Sequence, residues 1–354
     1  MLAAGSKIAS GPTTDTLNPG SIYSWKQIID PVEPFLESVN RRLAKQVEAF
    51  DSNVSPYADY ALNGQGKHLR PALVALTANA LGKVNDAHIT VAVIIEMVHL
   101  ATLVHDDVMD EAEIRRGQLT LAAHWGNEIA VLFGDCLFAR ALALAASFPT
   151  PEICRAVALA TNTVCSGEIL QTQHRCDFNF TREQYFKVLE MKTAELFALS
   201  CELSAFLSNA PAEQRAGLRD FGLAFGTAYQ VYDDCLDLFG SEASAGKSLG
   251  TDLMKGKLTL PVLLALERAD TADRARVQGL IHDWKPGSLK GMLELLAKYD
   301  ALEASLKFMH RHLEQARRML AVLPLSDGRA GLLGLTDHLG RQTDALGALP
   351  ESTL

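Results

Sequence analysis

From Trp25 onward the chain repeats apolar residues every three to four positions, as in Ile28, Val32, Phe35, Leu36, Val39, Leu43 and Val47. That spacing draws one apolar stripe along a helix, and no stretch keeps the alternation of a strand for long. The pattern predicts an all-α fold. Clusters of Gly, Pro, Asn or Asp interrupt it at 61–66, 82–86, 115–118, 149–151, 177–181, 208–212, 240–256 and 285–288. Roughly a dozen helices remain, several of about twenty-five residues, beyond the usual globular mean. Helices of that length fit a large bundle around a deep central cavity.

No composition shift or linker divides the middle of the chain, so residues 25–354 are expected to form one domain, with 270–354 a helical annex of it. Residues 1–24 are small, polar and punctuated by Pro and Gly. They read as a disordered tail without the apolar centre of a signal peptide. The apolar runs at 91–104 and 130–148 are broken by Glu96 and His99, or by Asp135 and Arg140, so no membrane span is expected. Six cysteines with no Cys-x-x-Cys pair suit reduced thiols filling the core of a cytoplasmic protein. A formal net charge of −9 argues against a nucleic-acid surface. An anionic ligand must then meet a local basic cluster or a metal.

One local echo carries the chemistry. His105-Asp106-Asp107-Val108-Met109-Asp110 and Tyr232-Asp233-Asp234-Cys235-Leu236-Asp237 share a carboxylate spacing, each at the end of an apolar helix. Positions i and i+4 lie on one helix face, so Asp106 with Asp110, and Asp233 with Asp237, can project in parallel. Such carboxylates repel one another and face the unfavourable end of a helix dipole, which calls for cations between them. An all-oxygen donor set suits Mg²⁺, which takes one or two carboxylates and completes its shell with water and phosphate. A single Asp-rich helix end is more often merely solvated; two matched copies point to several Mg²⁺ ions on a diphosphate. The EF-hand loop pattern is missing from both.

Basic residues stand close by in sequence. Arg115 and Arg116 follow the first cluster and offer guanidinium forks for phosphate. Upstream, Gly64-Gln65-Gly66-Lys67-His68-Leu69-Arg70-Pro71 opens a helix with Lys67 and Arg70 at its start, an unfavourable place for cations unless an anion joins them. On periodicity alone His99 is a core histidine, and Lys192 and Lys257 are surface lysines.

Taken together, GQGKHLRP, IIEMVHLATLVHDDVMDEAEIRRG, HWGNEIAVLFGDCLFARAL, GEILQ, EMKTAELF, AYQVYDDCLDLFG and GKSLGTDLMKGKLTLP closely resemble the trans-isoprenyl (polyprenyl) diphosphate synthase family, in family order from Gly64 to Pro261. The resemblance implies an isoprenoid-synthase-type fold and a prenyltransferase that joins isopentenyl diphosphate to an allylic diphosphate. It implies Mg²⁺ on Asp106, Asp107 and Asp110 and on Asp233, Asp234 and Asp237, with Lys192 among the catalytic residues. Lys67, Arg70, His99 and Arg116 would hold isopentenyl diphosphate. Arg115, Lys192, Thr193, Gln230, Lys247 and Lys257 would hold the allylic diphosphate. His68 departs from the family, which commonly has Arg there. Ala101 and Thr102 are small where short-chain members carry aromatics, so a medium or long product is expected, limited deeper by Met97, Ile94 or Phe138. A short-chain synthase, a subunit of a heteromeric synthase and a terpene cyclase are the competing readings. The family resemblance also implies a homodimer.

Overall fold

The computed structural model describes residues 24–62, 66, 68–115, 117–242, 248–285 and 287–347. Its helices are α1 (Trp25–Ile29), α2 (Glu33–Gln46), α3 (Ser55–Leu62), α4 (Leu69–Leu81), α5 (Asp86–Met109), α6 (Leu121–Trp125), α7 (Asn127–Ala146), α8 (Pro151–Gln173), α9 (Arg182–Leu189), α10 (Glu195–Leu207) and α11 (Ala212–Phe239). There follow α12 (Thr251–Met254), α13 (Leu260–Arg268), α14 (Thr271–His282), α15 (Ser288–Lys298), α16 (Ala301–Met319) and α17 (Asp327–Gln342). The all-α expectation holds. The long members α5, α8 and α11 run 24, 23 and 28 residues. A two-residue antiparallel hairpin, β1 (Ile114–Arg115) with β2 (Gln118–Leu119), occupies the break after the first Asp cluster.

Local chemistry sets the ends. Asn85 accepts from the backbone of His88, and the His88 ring reaches back to the Asn85 backbone, fixing the start of α5. Thr181 and Gln184 form the same reciprocal cap on α9. At the far ends of α5 and α11 lie the two Asp clusters, with Asp110 capping α5. The α4 and α10 helices are buried on nearly every side, and Phe197, Phe221, Phe225, Leu73, Leu76, Ile94, Ile95 and Met97 are almost fully enclosed between α4, α5, α10 and α11. After residue 270, α16 packs along α11 and α17 along α4.

Between α9 and α10 the helix carries a π turn, Glu190–Ala194, an extra-residue distortion that recurs at functional sites. Glycines let neighbours press on it. A Cβ on Gly167 of α8 would lie 2.7 Å from the Lys192 amide nitrogen, and one on Gly226 of α11 would lie 2.8 Å from Ala194 Cα.

Of the six cysteines only Cys201 and Cys235 are buried; Cys154 is half-buried, and Cys136, Cys165 and Cys176 are exposed. The core-filler reading therefore fails for those last three: Cys136 and Cys165 lie on faces of α7 and α8 that the chain leaves uncovered, and Cys176 lies in the turn after α8. Leu132, Leu159 and Ile169 on these faces are 62%, 63% and 58% exposed. By length and composition α5 and α7 are each apolar enough to span a membrane, but more than half of the apolar window of α5 is buried inside the protein.

Candidate active site

Asp106 and Asp110 face the same pair of lysines. Lys192 on the π turn stands 3.7 Å from Asp106, and Lys257, just after α12, lies 2.6 Å from Asp110. Arg175, beyond the end of α8, adds a 2.9 Å contact to Asp110. Lys192 is itself held by Glu168 and, at 2.8 Å, by Gln171, both on α8. Asp107 points elsewhere and takes the Arg115 guanidinium at 2.7 and 2.8 Å. The i, i+4 reasoning thus describes the first cluster correctly, with one carboxylate turned to the hairpin.

The second cluster is divided differently. Asp234 is buried and accepts from the Tyr185 hydroxyl at 2.6 Å and from Gln230 Nε2 at 2.8 Å. Asp237 is buried too, and its oxygens accept from the Thr251 hydroxyl and the Asp252 amide at 2.7 and 3.2 Å. Both carboxylates thus take protein donors, and only Asp233 of the three is half-buried. Thr193 donates to Gln230 Oε1 at 3.0 Å. The two clusters are therefore joined twice: through Lys192, Thr193 and Gln230, and through Lys257, whose amide donates to the Asp252 carbonyl at 2.9 Å. Beside the second cluster lies a cavity of about 80 Å³ lined by Gln171, Lys192, Thr193, Gln230, Asp234, Asp252 and Lys257, among others, so that it meets the first cluster only through its two lysines. A second, apolar cavity of about 300 Å³ lies apart from these lysines, between Trp25, Leu69, Phe225, Tyr229, Leu335 and Leu339.

Burial and neighbouring charges together set the protonation of these groups. Burial pushes the Asp106 carboxyl up to about 6, against the pull of Lys192 and with the help of Glu168 and Asp110. Burial also acts on Asp110, but Lys257, Lys192 and Arg175 outweigh it and hold that carboxyl below its ordinary range. Burial raises Asp234, and Asp252 adds to this, while the Tyr185 and Gln230 donors act the other way.

The comparisons with known proteins are decisive. The Polyprenyl synthetase family profile matches residues 51–296. Over 310 residues the chain is 34% identical to octaprenyl diphosphate synthase of Escherichia coli (strain K12), covering 87% of this chain and 96% of that one. The chain belongs to the polyprenyl synthetase family. Its backbone is similar to the decaprenyl diphosphate synthase of Rhodobacter capsulatus, with TM-score 0.84 and 32% identity over 90% of this chain and 99% of the other. It is equally similar to a polyprenyl synthase of Caulobacter crescentus complexed with calcium and isoprenyl diphosphate, with TM-score 0.85 and 32% identity over 91% and 99%. As a polyprenyl synthetase it is a prenyltransferase of isoprenoid biosynthesis.

A divalent cation fits the first cluster. Its donors are carboxylate oxygens, with Asp106 and Asp110 one turn apart on a single helix face. Among the described residues no three Asp, Glu, His or Cys side chains form a closed metal cage.

Of the other expected residues, Arg70 opens α4 with its guanidinium 4.6 Å above the Phe197 ring, and His99 sits half-buried two turns before Asp106. Lys67, Arg116 and Lys247 lie outside the described residues. Ala101 and Met97 are fully buried, and the Thr102 hydroxyl donates to the His99 carbonyl at 2.6 Å. Sequence reasoning missed Glu168, Gln171, Arg175, Tyr185 and Asp252. Glu168 and Gln171 lie in the GEILQ stretch and Asp252 in GKSLGTDLMKGKLTLP, whereas nothing in the sequence singled out Arg175 or Tyr185.

Proposed function

We propose that this polyprenyl synthetase condenses isopentenyl diphosphate with an allylic diphosphate, with Mg²⁺ as its metal, and releases a trans product of medium or long chain. The observation that carries this reading is that Lys192 and Lys257, which line the cavity beside Asp234 of the second cluster, also converge on Asp106 and Asp110 of the first. Asp106, Asp110 and Asp233 would hold Mg²⁺, with Asp107 steadied by Arg115. When bound, the metal supplies charge stabilisation for the departing pyrophosphate. Lys192, Lys257 and Arg175 are preplaced to share that charge in a water-poor site. The double bond of isopentenyl diphosphate attacks the allylic carbon as its bond to oxygen breaks, and the released pyrophosphate takes the proton. Lys67, Arg70, His99 and Arg116 are the proposed isopentenyl diphosphate pocket; Arg115, Thr193, Gln230 and Lys247 complete the allylic side.

The growing chain is proposed to run along α5 past Thr102 and Ala101 towards Met97, where small side chains leave depth. The exposed apolar faces of α7 and α8 are the proposed homodimer interface, since a patch of this kind on a free surface marks association. We place the protein in the cytoplasm, with residues 25–354 working as one unit. Incubating purified protein with labelled isopentenyl diphosphate, Mg²⁺ and separate allylic primers, then sizing the dephosphorylated products, tests the reading. A ladder beyond geranylgeranyl is expected; no condensation with any primer would sink it.

A further inference from the structure

Tyr185 has no part in the reaction as derived so far, yet it is 3% exposed and its hydroxyl ends a three-link chain at the cavity wall. Its Oη donates to Asp234 Oδ2 at 2.6 Å, Gln230 Nε2 donates to Asp234 Oδ1 at 2.8 Å, and Thr193 Oγ1 donates to Gln230 Oε1 at 3.0 Å. The links come from α9, α11 and the π turn, so no single element dictates them.

The chain has a fixed direction. A primary amide has one accepting oxygen and one donating nitrogen, and its orientation follows from its partners. A carboxylate only accepts, so an Asp234 carboxylate requires the NH₂ of Gln230 on its side. A neutral Asp234 with its proton on Oδ2, facing Tyr185, imposes the same orientation, because Oδ1 still accepts. In both cases Gln230 Oε1 turns to Thr193, and the Thr193 hydroxyl spends its one proton there. The lone pairs left on these two oxygens are then what this stretch of wall offers to the cavity, beside the Lys192 ammonium.

We propose that Tyr185 is a positioning residue which, by occupying Asp234 Oδ2, locks the Gln230 amide so that Gln230 and Thr193 present acceptor oxygens to the reacting allylic group. An acceptor-lined wall stabilises a carbon that becomes cationic, and a turned amide would put N–H groups there instead. Asp234 on this account acts through Gln230 and does not bind metal. The inference rests on the condensation proposed above.

Tyr185→Phe keeps the ring and removes only the hydroxyl. Condensation by the parent protein is measured first, and its absence would count against the proposed reaction instead of this chain. With activity in hand, Tyr185→Phe should lower kcat about 10- to 100-fold, leave KM for both diphosphates within about twofold, and leave half-saturation by Mg²⁺ unchanged. Asp234→Asn should do the same, and the double variant should be no slower than the slower single one. Parental kcat in Tyr185→Phe, multiplicative losses in the double variant, or a raised Mg²⁺ requirement in Asp234→Asn would each overturn the proposal. If Asp234→Asn does not fold, Tyr185→Phe alone decides it through the split between kcat and KM.

Discussion

The Lys257 ammonium lies 2.6 Å from the Asp110 carboxylate across 147 positions of sequence, while the Asp106 carboxylate, one turn away on the same helix face, is 3.7 Å from Lys192. Burial on Asp106, and the cations around Asp110, push these two acidic groups apart in acidity. Asp106 rises to about 6 and Asp110 falls below its ordinary value. A cation needs the carboxylate form, so metal binding is expected to weaken as the pH drops below about 6 by loss of a single charge, that of Asp106. The acid limb of kcat/KM should have a slope near one and move lower at higher Mg²⁺. In Lys257→Ala the neutralising partner of Asp110 is gone, and the slope should approach two. An unchanged slope of one would show that Lys257 does not govern Asp110.

The same shift has the opposite sign for folding. Asp106 binds its proton more tightly folded than unfolded, where a carboxyl titrates near about 3.9. Metal-free protein should therefore gain from Asp106 as the pH falls from about 6 towards 4. Buried His88, held below its usual range by burial, works against this: its neutral form is favoured in the fold, so its contribution is present above about pH 6.5 and declines below it. Asp106→Asn should raise the Tm of metal-free protein at pH 8 while abolishing activity. A lowered Tm would mean that the ion pair with Lys192 outweighs the cost of burial.

Gly167→Ala tests the grip on the π turn. Its new methyl would meet the Lys192 backbone at 2.7 Å, and backbone cannot step aside cheaply. A loss of about 1–3 kcal/mol in stability is expected, with kcat down at least about tenfold because Lys192 and Thr193 are displaced. Gly279→Ala, inside α14 with nothing within 4 Å, is the control and should stabilise by about 0.5–1 kcal/mol. Thermal unfolding and steady-state kinetics on both variants settle the comparison.

Ala101→Phe should shorten the product if the chain runs down α5, at a cost of about 1–3 kcal/mol for overfilling a fully buried position. Product sizing on that variant, with unchanged lengths, would remove α5 from the elongation path.

Leu132→Glu with Leu159→Glu places charges on the exposed apolar faces of α7 and α8. Sedimentation should show a dimer for the parent and a monomer for the double variant; a parental monomer would leave those faces without the proposed role.

Much of this was legible in the sequence. Helical periodicity with its Gly and Pro breaks gives the long helices, and the i, i+4 rule gives the shared face of Asp106 and Asp110. Those signals are local. What holds the site is not: Glu168 and Gln171 meet Lys192 from another helix, and Arg175 reaches Asp110 across 65 positions. Asp234 and Asp237 look like Asp233 on paper, yet packing buries them against Tyr185, Gln230 and Thr251 while Asp233 stays half-buried. The exposed faces of α7 and α8 mislead for a related reason, since composition cannot say whether an apolar face is covered by its own chain.

The π turn stores a phase difference. An α-helix advances about 100° per residue, so one residue more than regular winding needs rotates everything after it relative to everything before. Deleting Met191 would let α9 and α10 heal into one regular helix, locally better bonded, with Lys192 and Thr193 swung away from Asp106 and Gln230. The register that sets Lys192 and Thr193 opposite Asp106 and Gln230 is thus written as a single surplus residue, which a one-codon deletion would remove.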